Sequence, residues 1–464
     1  MKPSPYGLRL LPLAAALAWL PAAHAADSND LKELREQLRQ LRETYESRIS
    51  TLEKRLAVAE QSAGRAEASA AKAQETAQAV AAAPVAPPAA ETASESAFNP
   101  AMSLILAGNA TRLSRDQGSY RIGGFVPSLG EVAPAPRSFS LGESELAIAA
   151  NIDHLFRGQF TASVAPEGGQ VNVEEGYVQT LALGHGATLK AGRFLSGIGY
   201  LNEQHSHVWD FADAPLAYKA FFGGQLNNDG VQLKWLAPTE ETLVEIGAEA
   251  AKGGAFPSTN NNKNGSTLNT LFAHVGGDVG ASNSWRAGLS IVQTSPHNRS
   301  FSDVDSTGAI PQTPSVFSFS GTSHTALADF VWKWAPEGNA TRTNFKLQGE
   351  YLQRTENGDL SGSGPYRSRQ SAWYLQSVYQ FMPAWRVGVR YDRLDYGTVD
   401  TANLPNILRP WNPKRTTVMT DWSPSEFSRF RLQFARDEAR PGEPDNQVWL
   451  QYIVSLGAHG AHKY

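Results

Sequence analysis

The chain has 464 residues, no cysteine, 19% charged side chains and a formal net charge of −4. The missing cysteines exclude disulfides and thiolate metal sites, and the near-neutral balance excludes a bulk attraction to nucleic acid. Forty glycines and 10% aromatic residues suit a large β-protein with many turns, and no motif calls for a cofactor.

Residues 1–25 combine Lys2 and Arg9 with an apolar run over 10–20 and the small-residue site Ala23-His24-Ala25. That pattern reads as a secretory signal peptide cut before Ala26. The run is too short to span a bilayer, and no later stretch reaches the roughly 20 apolar residues of a membrane helix. Over 26–81 the apolar positions are Leu31, Leu34, Leu38, Leu41, Tyr45, Ile49, Leu52 and Leu56, then Ala59, Ala63, Ala66, Ala70, Ala73, Ala77 and Val80. Steps of three and four with one extra four-residue step predict a helical coiled coil with a stutter. A seam that narrow implies self-association; the alternative is a lone alanine-rich helix. Residues 82–97 form a Pro/Ala-rich linker without a core pattern.

From residue 98 to 464, segments of alternating polarity meet at seven tight connections. These lie at Asn151-Ile152-Asp153, Gly184-His185-Gly186, 237–241, 280–284, 336–340, Met382-Pro383-Ala384 and 423–426. Between the hairpins run stretches rich in Gly, Ser, Asn, Asp and Pro: 114–139, 166–170, 197–226, 252–267, 295–321, 355–369, 396–413 and 438–445. Short turns at one end and long loops at the other predict an all-β transmembrane antiparallel barrel of about 16 strands, with both termini at the periplasmic end. A hairpin hidden in the first long loop would make it about 18. Trp235, Trp285, Trp332, Trp334, Phe381, Trp385, Trp422 and Phe427 all fall near the proposed turns, as an interfacial girdle requires. A soluble β-sandwich offers no reason for that clustering. In the last stretch Leu450, Tyr452, Val454, Leu456, Ala458, Gly460, His462 and Tyr464 alternate with a smaller or more polar set, the period of a strand with lipid on one side.

Turning the apolar face to lipid puts the alternate residues in the lumen. Val231, Leu233 and Trp235 outward place Lys234 inward, and Trp385, Val387 and Val389 outward place Arg386 and Arg390 inward. The same alternation assigns Arg157, Lys190, Arg286, Lys333, Lys346, Arg429 and Arg431 to the pore lumen, against Glu143, Glu145, Asp329, Glu350, Asp392 and Asp421. Charges are costly against lipid and cheap in a wet lumen. Ten basic to six acidic side chains predict an anion preference; the alternative is mixed charge ordering water in a non-selective pore. Loop 197–224 lies between the fifth and sixth strands. Within it Glu203, His205, His207, Asp210 and Asp213 suit a constriction, and His205, His207 and Asp210 are the candidate metal ligands, for zinc or another divalent ion. Plain loop hydrogen bonding is the third reading.

Signal peptide, coil, hairpin rhythm, basic lumen and a terminal aromatic strand together make 98–464 resemble a Gram-negative outer-membrane porin, leaning toward the phosphate-selective porin O/P group. In such porins the last residue is usually Phe, where this chain has Tyr464. The resemblance implies a third loop folded into the barrel, a ladder of lumen arginines to which Arg386, Arg390, Arg429 and Arg431 would belong, and a homotrimer supported by the coil. The function it implies is passive diffusion of small hydrophilic solutes across the outer membrane, the barrel sitting in outer-membrane lipid. The rival readings are a zinc-type uptake channel and a structural tether in contact with the cell wall. No G-x-S-x-G or H-E-x-x-H motif is present, so no enzyme activity is expected.

Overall fold

The computed structural model describes residues 100–457 except 129–131, 165–169, 260–261 and 304–314. The chain divides into Met1–Ser94 and Glu95–Tyr464, and all described residues belong to the second unit. The signal peptide, coil, linker and Tyr464 therefore lie outside the described residues.

Strand segments form one antiparallel sheet that closes on itself, Ala101–Leu113 pairing with Asp445–Gly457. Two staves of the wall are each interrupted once. Ser138–Leu141 and Ser144–Asn151 both run along Ala101–Leu113, and Asn283–Thr294 and Arg299–Asp303 both run along Ser315–Trp334. Counting each pair as one stave, the eighteen segments make a sixteen-strand barrel. This closed single sheet rules out the β-sandwich reading. Residues 114–137 contribute the 3-10 turn Gln117–Ser119 and no hairpin among the described residues, so the count is not eighteen.

All seven tight turns fall where the sequence places them. The loop boundaries need correction. Residues 355–369 are mostly strand: Asn344–Leu360 and Gly364–Met382 run nearly to their tip, joined through 361–363, where Gly362 takes φ +72°. Arg299–Asp303 and Ser315–Trp334 likewise extend into 295–321, and Trp385–Asp400 into 396–413. The cause is chemical. A strand whose inner face is polar has the composition of a loop, so composition alone cuts it short.

The wall is inverted relative to a water-soluble protein. Leu271, Leu289, Ile291, Val389, Phe434 and Leu450 are exposed on its outer face, while Arg354, Arg390, Arg415 and Arg431 are almost wholly buried inside. Such a surface is stable against hydrocarbon and unstable against water. On the short-turn side, Trp385, Trp422, Phe430 and Tyr452 occupy directly paired positions on four neighbouring strands. Their rings stack in sequence at 6.1, 5.5 and 4.3 Å, each about two-fifths exposed. Trp and Tyr rings, apolar with a polar tip, settle at an interface, so this row of Trp385, Trp422 and Tyr452 with Phe430 among them marks one edge of the apolar band.

The hydrophobic core lies within the barrel. It is built around the short helix α1, Leu216–Phe222, all seven residues of which are buried. Pro215 precedes its first turn, and Gly223 ends it at φ +71° while its N–H donates to the Tyr218 carbonyl, a left-handed cap that favours glycine. Leu216, Phe221 and Phe222 pack with Ile122 and Phe125 of the first loop and with Leu327, Leu352 and Leu394 of the wall. Sequence reasoning missed this helix because seven residues, about two turns, inside a loop give too little periodicity to read.

Candidate functional site: a loop across the bore

Residues 196–226 leave the wall after Ala187–Leu195, the fifth stave, and rejoin it at Asn227–Leu236, the sixth. Their partners are on the far side. The backbone N–H of Leu201 donates to Glu350 Oε1 at 2.9 Å, the Tyr218 hydroxyl donates to Glu350 Oε2 at 2.7 Å, and the N–H of Leu216 donates to Asp392 Oδ1 at 2.9 Å. Nearer its start, the Ser196 hydroxyl and the Gly197 N–H donate to Glu249 at 2.6 and 2.8 Å. Strands five or more places apart in a closed wall are reached only by crossing the bore, so this loop spans the interior.

One anchor is basic wall meeting acidic loop. Asp210 accepts from Lys346, from Arg386 Nη1 at 3.3 Å and from Gln376 Nε2 at 3.0 Å. Asp213 accepts from Arg415, from Lys219 Nζ at 2.9 Å, from Arg390 Nη2 at 3.3 Å and from Gln433 Nε2 at 3.2 Å. Guanidinium groups also hold the loop's backbone. Arg431 donates to the Trp209 carbonyl at 2.7 Å, Arg390 to that of Asp213 at 2.8 Å, and Arg429 to that of His207. Burial alone would raise the Asp213 carboxyl, but the charges of Arg415, Lys219 and Arg390 overcome it and hold the group well below the usual carboxylate range.

The second anchor reverses the signs. His205 Nδ1 lies 3.0 Å from Glu174 and 3.3 Å from Glu145, and its Nε2 lies 3.0 Å from Glu175. His207 Nδ1 lies 2.9 Å from the other oxygen of Glu145, and its ring stacks on His205 at 5.9 Å. Burial by itself would lower the His205 pKa; the hydrogen bonds to Glu174 and Glu175 and the charge of Glu145 outweigh it and hold the ring well above its ordinary value. Glu174 and Glu175 are consecutive, yet both reach His205. A register shift at Thr161/Ala162 makes Glu174 the extra residue of a β-bulge and breaks strict alternation there. Sequence reasoning, which assumes alternation, could not place this pair. The proposed metal trio also changes: Asp210 sits in the basic anchor, apart from His205 and His207, because Lys346 and Arg386 draw its carboxylate to the opposite wall.

The remaining sequence candidates lie on other strands of the wall. Lys234 pairs with Glu245 at 3.1 Å and lies 3.9 Å from Glu203. Arg286 Nη2 donates to the Gly199 carbonyl at 2.9 Å, and Arg286, Lys333 and Lys346 gather over the Tyr200 ring at 5.5, 5.8 and 6.0 Å. Lys190 stands over the Tyr177 ring at 4.5 Å. Arg157 is exposed beside the turn that opens Phe156–Val164. The tally of ten to six omits Arg299, Arg354 and Arg415, and it also omits Glu175, Glu245, Glu249, Glu356 and Asp437 on the inner face, besides the loop's own Asp210 and Asp213. Arg386 and Arg431 converge on Asp421, and Arg299 on Glu356. The interior is therefore an interleaved acid–base network rather than a basic ladder. Below the loop, toward the short turns, a cavity of about 650 Å³ is lined by Tyr200, Glu203, Lys234, Glu245, Arg286 and Lys333 among others.

No family model matches this chain. It is similar to an uncharacterized protein of Aquifex aeolicus (strain VF5), 28% identical over 347 residues that cover 71% of this chain and 70% of that one. Among solved structures it is similar to the loop L8 deletion mutant of OmpT, an outer membrane protein of Vibrio cholerae, at 9% identity and a TM-score of 0.48, covering 77% of this chain and 99% of that one. The outer membrane channel DcaP of Acinetobacter baumannii is similar at 12% identity and a TM-score of 0.46, over 77% and 97% of the two chains. The anion-selective porin from Comamonas acidovorans is similar at 11% identity and a TM-score of 0.46, over 77% and 99%.

Proposed function

We propose that this chain is an outer-membrane porin, a passive diffusion channel for small hydrophilic solutes whose size limit is set by loop 196–226. The observation that carries this reading is the loop's crossing of a polar interior inside an apolar-surfaced, closed barrel. Solutes pass where loop and wall do not touch, and the cavity beneath Tyr200 is the vestibule on the periplasmic side. The channel is weakly charge-selective. Arg386, Arg390 and Arg431, which a phosphate-selective ladder would aim at the solute, are engaged by Asp210, Asp213 and Asp421, favouring the non-selective alternative over a strong anion preference. The seam over 26–81 supports assembly as a homotrimer.

Planar-bilayer conductance of the full chain, with reversal potential under a KCl gradient, tests this. Conductance in stepwise triplets with a small reversal potential is the expected result. A strongly ion-selective potential would overturn the weak selectivity, and silence would overturn the channel in favour of a tether. Deleting 26–97 separates those roles, since the barrel keeps conducting if conduction belongs to it.

A further inference from the structure

We propose that Glu145, Glu174 and His205 form a divalent-cation site that clasps loop 196–226 to the near wall of the barrel. Each residue offers one ligand atom, and the three atoms lie within 4.8 Å of one another. They come from three separate elements: Glu145 from Ser144–Asn151, Glu174 from Val171–Thr180, and His205 from the loop. A cation bound among them ties the loop to two strands at once.

The donor set is one imidazole nitrogen and two carboxylate oxygens, a mixed set that suits zinc and similar first-row divalent ions. The surroundings match those of a metal-bound histidine. With Nδ1 turned to the ion, the opposite nitrogen, Nε2, is 3.0 Å from Glu175, the carboxylate contact that fixes tautomer and ring orientation in such sites. His207 performs a similar service for Glu145, holding its second oxygen at 2.9 Å. Charge points the same way. Glu145, Glu174 and Glu175 set three carboxylates against two imidazoles, so acidic groups are in excess where a cation would sit. The site is sheltered but reachable: the Glu145 side chain is 2% exposed, while those of Glu174 and His205 are 18% and 20% exposed.

This role is structural, a fastening of the constriction, and differs from passage of metal as cargo. It rests on the reading of the loop as the constriction only for its consequence; binding itself is measured without conduction. Full-length protein in detergent, stripped with chelator and dialysed against zinc chloride, is expected to bind one tightly held ion per chain. His205→Ala and Glu174→Gln should each weaken binding at least tenfold, while His297→Ala, in a different outer loop, leaves it unchanged. Undiminished binding in both site variants, or none in the wild type, would overturn the site. Because a site variant can misfold, zinc-edge X-ray absorption of the loaded wild type provides a second test. A first shell of one imidazole and carboxylate oxygens supports the site, and an all-oxygen or multi-imidazole shell refutes it. A protein that binds zinc through His205 and is silent in bilayers refutes the channel while leaving the cation site intact.

Discussion

The two anchors of loop 196–226 are built from one short stretch of chain and have opposite chemistry. At Asp210 and Asp213 the loop supplies carboxylates and the wall supplies Arg386, Arg390 and Arg415; at His205 and His207 the loop supplies imidazoles and the wall supplies Glu145, Glu174 and Glu175. The first joins arginine and lysine to carboxylates that are almost wholly buried. The second joins two imidazoles to three carboxylates, with His205 and Glu174 in partial contact with solvent. A constriction held at one end by aspartate–arginine pairs and at the other by imidazole–carboxylate pairs can loosen on one side without leaving the bore. Along 205–213 two histidines are followed by two aspartates, and the loop sorts the two pairs onto different parts of the wall.

The sharpest test of this contrast is Asp213→Asn. It leaves Arg390, Arg415 and Lys219 buried without their shared counter-charge, a change that costs about 3–5 kcal/mol when one partner of a buried pair is lost. Denaturant melts should show the loss, and bilayer recordings should show larger, noisier openings; an unchanged melt would remove Asp213 from the anchor. Acid acts on the same contacts. The Asp213 carboxyl is depressed in the folded protein, so its stabilisation is fully present above the ordinary carboxylate pKa of about 3.9 and is lost only as pH falls through the lower folded value. Fluorescence of Trp209 should therefore report an intact basic anchor from about pH 8 to about pH 5; release already near pH 6 would contradict it.

Arg386→Gln has a smaller effect, read in selectivity. Asp210 keeps Lys346 and Asp421 keeps Arg431, so the fold survives with one positive charge fewer, and the reversal potential should move toward cations. No movement would separate Arg386 from the solute path. His207→Ala is the mildest change. It removes one contact to Glu145, worth about 0.5–1.5 kcal/mol, and should shift the melt slightly while conductance holds. A loss as large as that of Asp213→Asn would erase the contrast between the anchors.

Much of the wall was legible before any coordinates. Trp385, Val387 and Val389 facing out dictate that Arg386 and Arg390 face in, because the strand period is two and carries no memory of the rest of the chain. The positions of the seven turns followed from the same short-range logic. What those inward charges meet was not legible. Arg415 and Asp213 are 202 residues apart, and Tyr218 and Glu350 are 132 apart; nothing local to either end names the other. The tally of ten to six counted lumen charges without these distant partners, Asp210 and Asp213 among them.

By itself, then, the sequence determined an antiparallel wall with an apolar outside, a polar inside and its aromatic row beside the turns, since side-chain alternation and turn chemistry act within a few residues. Tertiary structure alone decided that loop 196–226 spans the bore, that helix α1 sits in the core, and that a one-residue bulge turns both Glu174 and Glu175 toward His205. Those outcomes depend on closure of the barrel, which brings far-separated charges close enough at buried positions for their pairing to offset the cost of burying them.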